Sequence, residues 1–137
     1  MSMQKITTAL DTSAVLAYLN REVGWQFVQE KLENSHCIFS AVNFIEVVSK
    51  LAQGRSPFLS RIGELMTLMG VELISLNSET AIQAGILIST TKSRGLSLGD
   101  RACLALAVEH GAEVLTSDLA WFALDLPVPA VNFRQHP

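Results

Sequence analysis

The chain has 137 residues, 49% of them hydrophobic, which is the size of one domain and enough for a single two- or three-layer core. Its net charge of −3 argues against a protein that coats nucleic acid through general basicity, but not against a nucleic-acid enzyme whose acidic site is loaded with metal. No apolar run approaches the roughly 18–20 residues that span a bilayer, the opening MSMQKITTALD lacks the features of a signal peptide, and Cys37 and Cys103 suit two buried thiols in a reducing cytoplasm.

KITTALD (5–11) reads as a strand ending on Asp11, and TSAVLAYLN as the helix after it. VGWQFVQEKLEN (23–34) is an amphipathic helix with Trp25, Phe27, Val28 and Leu32 as its apolar positions. HCIFS (36–40) is a second strand, and AVNFIEVVSKLAQG places Phe44, Val47, Val48 and Leu51 at helical spacing before Gly54 closes the helix. SPFLSRIGELMTLMG predicts a helix with proline near its first position, and VELISL (71–76) a strand. SETAIQAGILISTTKSRG predicts a helix capped by Ser78 and stopped at Gly95. In LSLGDRACLALAV (96–108) all seven residues after Arg101 are apolar, the mark of a helix buried nearly all round. AEVLTSD (112–118) is a strand, LAWFAL a short helical turn, and VPAVNF carries the last strand. Strands alternating with helices imply βαβ units: an α/β fold with a mostly parallel sheet flanked by helices, expected as one domain over residues 1–137.

Four acids fall at one place in that pattern. Asp11 and Asp118 end two strands, and in an open parallel sheet ligands bind beyond the carboxyl ends of the strands. Asp100 lies in the first turn of its helix and Glu46 in the second turn of the helix after strand two, and those turns rise at the same edge. Carboxylates brought together repel unless a cation sits among them, and an all-oxygen set suits Mg²⁺ or Mn²⁺. His36, His110 and His136 show no zinc spacing, and there is no C-x-x-C. Such an ion binds phosphate oxygens and activates water, so the layout most naturally supports metal-dependent phosphodiester hydrolysis. Each acid also has a purely structural reading. Asp11 and Asp118 are respectable N-caps, Ser97 with Asp100 fits a capping box, and Glu46 stands four residues before Lys50 as an ordinary surface pair. The set carries the argument, because capping demands no particular edge of the sheet.

LDTSAVLAYL, NFIEVVSKL, LSLGDRACLALA and GAEVLTSD, in this order and spacing, resemble the PIN-domain pattern from Ile6 to about Phe133. The compact length resembles the single-domain toxins of VapBC toxin–antitoxin systems. The resemblance implies a Mg²⁺- or Mn²⁺-dependent endoribonuclease with a parallel sheet between helices. It places the family's acidic positions at Asp11, Glu46, Asp100 and Asp118, with Asp11, Asp100 and Asp118 holding the metal. Thr116, with Ser117 beside it, and Thr12 match the supporting hydroxyl positions. It further implies a homodimer, silenced by a cognate antitoxin whose tail occupies the site; the cysteine usage gives the cytoplasmic expectation. Arg101 departs from the alanine common after the third acid, and is expected either to contact a phosphate or to pair with Asp100. Asp125 reads as a loop residue.

Without its four site carboxylates the chain would carry +1, and Lys50, Arg55, Arg61, Lys92, Arg94, Arg101 and Arg134 are candidates for an RNA-facing rim. Trp25 and Trp121 read as core or dimer contacts rather than base-stacking platforms. The alternative to a nuclease is a non-catalytic PIN-fold module that binds RNA or protein. A phosphatase is disfavoured, since DTS replaces D-x-D and there is no P-loop or G-x-G-x-x-G.

Overall fold

A computed structural model describes residues 5–91 and 95–135; Lys92, Arg94 and His136 fall outside them. The chain opens with β1 (Thr7–Leu10), α1 (Thr12–Asn20) and α2 (Trp25–Asn34), and re-enters the sheet as β2 (His36–Ser40). α3 (Ala41–Gln53), a 3-10 turn at Leu59–Arg61 and α4 (Ile62–Leu68) lead to β3 (Glu72–Ile74). α5 (Ser78–Ile86), α6 (Ile88–Thr91) and α7 (Leu98–His110) precede β4 (Glu113–Thr116). A 3-10 turn at Leu119–Ala123 and β5 (Ala130–Asn132) follow.

Every strand pair is parallel, in the order β3-β2-β1-β4-β5. The order runs outward from β1 in both directions, so the central β1–β4 pair marks the point where an open α/β sheet leaves a crevice at its carboxyl edge. Pleating sends Leu10, Phe39 and Leu115 into one core with Val15, Val28, Val47 and Met66. It sends Ala9, Ile38 and Val114 into the other, with Cys103, Leu104, Ala107 and Trp121. Burial on both faces is why these strands read as apolar runs rather than alternating ones. α7 packs on β1 and β4 and also touches α3 and α5, which accounts for its nearly unbroken apolar stretch. The α/β three-layer sandwich is as expected.

Three boundaries differ. The helix expected from Ser56 starts only at Ile62, because Arg61 leaves the helical region at φ −124°. The cap before α5 is Asn77, whose side chain accepts from the Thr80 amide at 2.8 Å, and Ser78 is the first helical residue. The two side chains are near-equal caps, so their order is a matter of backbone entry. The helix also breaks at Leu87, giving α5 and α6 instead of one run toward Gly95. Among the described residues no helix is long and apolar enough to cross a membrane.

Candidate active site

A short local device delivers each of the four acids to the carboxyl edge of the sheet. β1 ends at Leu10, and Asp11 turns the chain into α1 as its N-cap. Its Oδ1 accepts from the Ala14 amide at 3.1 Å and from the Ser13 hydroxyl at 2.5 Å. Its own amide donates to the Leu115 carbonyl, which ties it to β4. The last residue of β4, Thr116, is fully buried; its hydroxyl donates to Asp11 Oδ2 and accepts from the Asp118 amide at 3.1 Å. One threonine thus links two of the acids. Asp118 caps the following 3-10 turn through Oδ1, and the Ser117 amide donates to Ser13 Oγ at 3.3 Å.

On the other side, Glu46 Oε1 accepts from Thr12 Oγ1 at 2.6 Å and from Asn43 Nδ2 at 3.0 Å. Asn43 is 1% exposed. Its amide also reaches Thr12 Oγ1 at 3.2 Å and the Gly99 carbonyl at 3.1 Å, while Ser40 Oγ donates to its Oδ1 at 2.6 Å. A single amide therefore joins the end of β2 to α1, α3 and α7. Asp100 sits one residue beyond Gly99 in a complete capping box: its Oδ2 accepts from the Ser97 amide at 2.9 Å, and its own amide donates to Ser97 Oγ. A Cβ on Gly99 would lie 2.3 Å from Glu46 Oε1, so the absent side chain is the space that the Glu46 carboxylate occupies.

The capping roles of the three aspartates are all realised, and Glu46 turns to Thr12 and Asn43 rather than forming the surface pair with Lys50. Capping consumes one oxygen of Asp100 and one of Asp118; Asp100 Oδ1 and Asp118 Oδ2 carry no hydrogen bond among the described residues.

The field of these groups is collective. Burial pushes the Asp11 carboxyl up from 3.8 to about 6; hydrogen bonds from Ser13, Thr116 and Ala14 oppose this, and the charge of Asp100 adds to it. Asp100 is raised by burial first, against its bonds to Ser97, and then by Asp118 and Glu46. Beneath them the Cys103 thiol is pushed up by burial and further by Asp11, Asp100 and Glu46. Four carboxylates from four elements thus make one negative locus. Among the described residues, as the side chains stand, no three His, Cys, Asp or Glu groups are close enough to grip one ion. The donors are carboxylate, hydroxyl and amide oxygens, with three carboxylate oxygens, Glu46 Oε2, Asp100 Oδ1 and Asp118 Oδ2, free of hydrogen bonds among the described residues. In charge and donor type this set fits a hard divalent cation, and closure upon one would fall to rotation of Asp100 and Asp118.

Arg101 is half-buried and donates from Nη1 to the Ala84 carbonyl of α5 at 3.0 Å, and no ion pair with Asp100 forms. Asp125 lines a separate pocket with Leu87, Thr91 and Leu104. Trp121 is fully buried; Trp25 is half-buried beneath the Arg21 guanidinium. Asn43, Gly99, Ser13 and Ser40 were not anticipated as members of the site. Gly99 did carry a signal, since a glycine early in a helix costs about 1 kcal/mol against alanine unless space demands it.

The PIN domain family model matches residues 8–125. The fold is similar to a toxin–antitoxin complex from Klebsiella pneumoniae, at 22% identity and TM-score 0.70, covering 92% of this chain and 97% of that one. It is similar to VapBC2 from Rickettsia felis bound to a promoter DNA fragment, at 14% identity and TM-score 0.72, covering 93% and 98%. A third likeness is to VapC20 of Mycobacterium tuberculosis, a sarcin–ricin-loop-cleaving toxin, at 14% identity and TM-score 0.71, covering 87% and 95%. A comparison with curated proteins returns no match.

Proposed function

The chain belongs to the PIN domain family, and we propose that it is a Mg²⁺- or Mn²⁺-dependent endoribonuclease, the toxin of a type II toxin–antitoxin pair. The observation that carries this reading is the convergence of Asp11, Glu46, Asp100 and Asp118 on one edge of the sheet, each raising or crowding another's charge. Asp11, Asp100 and Asp118 would hold the ion. A divalent cation bound there supplies charge neutralisation on phosphate oxygens and acidifies water. Glu46 accepts the proton of the attacking water as its oxygen adds to phosphorus and the bond to the leaving oxygen breaks. Thr116 orients Asp11; Thr12 and Asn43 hold Glu46 in one rotamer. Ser117 acts through its amide, which holds Ser13 against Asp11. Arg101 contacts a phosphate with a reach limited by its bond to Ala84.

The partner reading, a cognate antitoxin, draws support from the toxin–antitoxin complexes among the similar structures. We also propose a cytoplasmic homodimer; Ile82 and Ile86, exposed on α5, are apolar surface such an assembly would cover.

End-labelled total RNA incubated with the purified protein and Mn²⁺, Mg²⁺ or EDTA tests this. Metal-dependent fragments are expected. Intact RNA in every lane would favour the second reading, a non-cutting PIN-fold binding module.

Gly99→Ala separates the site from the fold. The atoms nearest the new methyl all belong to the Glu46 carboxylate, the far end of a flexible side chain, so the protein should still fold, with a loss of about 1 kcal/mol for the hydrogen bonds Glu46 gives up. Displacing Glu46 from Thr12 and Asn43 should slow cleavage about 10–100-fold. An unchanged cleavage rate would remove Glu46 from the mechanism.

A further inference from the structure

A groove of about 460 Å³ lies between α1 and the C-terminal part of α3, next to the site at Ser13. Ser13, Leu16 and Asn20 line it from one face of α1, and Lys50, Gly54 and Ser56 from the end of α3. Its mouth is Ser13, whose hydroxyl donates to Asp11, and from there to Asn20 is about 10 Å along the helix.

Most other cations of the described chain are committed. Lys31 pairs with Glu113, Arg61 with Glu64, and Arg134 with Glu22; Arg21 lies over Tyr18 and Trp25, and Arg101 is held by Ala84. Lys50 has no acid partner among the described residues, because Glu46, one turn before it, faces Thr12 and Asn43. Arg55, exposed beside Gly54, is equally unpaired. The groove's acid, Glu22, is countered by Arg134 at 3.7 Å. Lys50, without an acid partner among the described residues, thus lies one helical turn beyond Glu46 on the wall of a trough that reaches Ser13.

We propose that this groove seats the single RNA strand flanking the scissile phosphate, with Lys50 contacting a neighbouring backbone phosphate. The proposal rests on the endoribonuclease reading for what happens at the acids. Leu16 offers apolar surface to a base or ribose, and Asn20 and Ser56 offer hydrogen bonds without sequence-fixed geometry. Lys50 is therefore a binding residue whose contact is equally present in ground and transition states.

The test uses the full chain with a labelled single-stranded RNA oligonucleotide. With Mn²⁺, Lys50→Ala should raise KM about 5–10-fold with kcat little changed, and Lys50→Arg should restore most of it. In an Asp100→Asn background, the same RNA followed by fluorescence anisotropy should bind with a salt slope lower by about 1 when Lys50 is also alanine. Lys5→Ala, ahead of β1 at the opposite edge, should do neither. Unchanged KM and slope from an active protein would overturn the groove and leave the nuclease reading standing, and so would an equal loss from Lys5→Ala. If the wild type cuts no RNA with any metal, the nuclease reading fails and the anisotropy arm decides the groove alone: weakened binding by Lys50→Ala upholds it, unchanged binding overturns it.

Discussion

Asp11→Asn should make the metal-free protein more stable at pH 8 while abolishing cleavage. Asp11 is 4% exposed, and its carboxyl titrates at about 6 in the folded chain against an ordinary 3.8. A raised acid stabilises the fold only while protonated; that contribution is complete below pH 4 and is lost as pH rises through 6. At pH 8 the buried charge costs about 3 kcal/mol. Asparagine removes the charge and keeps an oxygen for the Ser13 and Ala14 donors. The Thr116 hydroxyl must then turn away from an amide, which offsets about 1 kcal/mol. Urea unfolding in EDTA should show the variant ahead by about 1–3 kcal/mol at pH 8, the gap closing as pH falls from 6 to 4. A gap independent of pH, or a less stable variant at pH 8, would contradict this account of the site's charge.

Asp100→Asn should lose more than about 100-fold in cleavage, beyond what removal of a positioning group does, with the fold intact. Asparagine can still accept from the Ser97 amide, so the capping box survives. What disappears is the negative charge that couples to Asp11, Asp118 and Glu46. Single-turnover cleavage beside a thermal melt checks both halves. A variant that cuts at the wild-type rate would take Asp100 out of the reaction, leaving it as a cap only.

Much of this arrangement is legible in the sequence because it is local. Strands buried on both faces leave short unalternating apolar runs such as Cys37–Phe39 and Val114–Leu115, and the alternation with helices then sets a parallel sheet. The edge on which Asp11, Asp100 and Asp118 fall follows from chain direction alone, and the Ser97–Asp100 box is read from its spacing. What escapes is tertiary. Asn43 looks like one polar position on an amphipathic helix; that it bridges Thr12, Glu46 and Gly99 depends on how closely α3 approaches α7. Glu46 and Lys50 have the right spacing to pair, yet the donors on α1 and within α3 win the carboxylate, which frees the lysine. The direction of Arg101 was undetermined between two partners until α5 supplied a third. Adjacent Asn77 and Ser78 are both good caps, and only the entry path of the backbone decides between them.

The three aspartates illustrate how structure and chemistry share a residue. Each spends one carboxylate oxygen on satisfying backbone amides at a helical start, while Asp100 and Asp118 keep the other oxygen free of hydrogen bonds among the described residues. The cost of crowding these charges is visible in the raised Asp11 and Asp100 carboxyls. A cation that relieves it would be bound most tightly above pH 6, where protons no longer compete.

The most direct measurement is therefore a Mn²⁺ titration of the purified protein at pH 8, followed by electron paramagnetic resonance, with Asp100→Asn in parallel. Saturable Mn²⁺ binding by the wild type, lost in the variant and displaced as pH falls below 6, is the predicted result. Equal binding by both proteins, or none by the wild type with or without RNA present, would contradict the claim that these four acids form a metal centre.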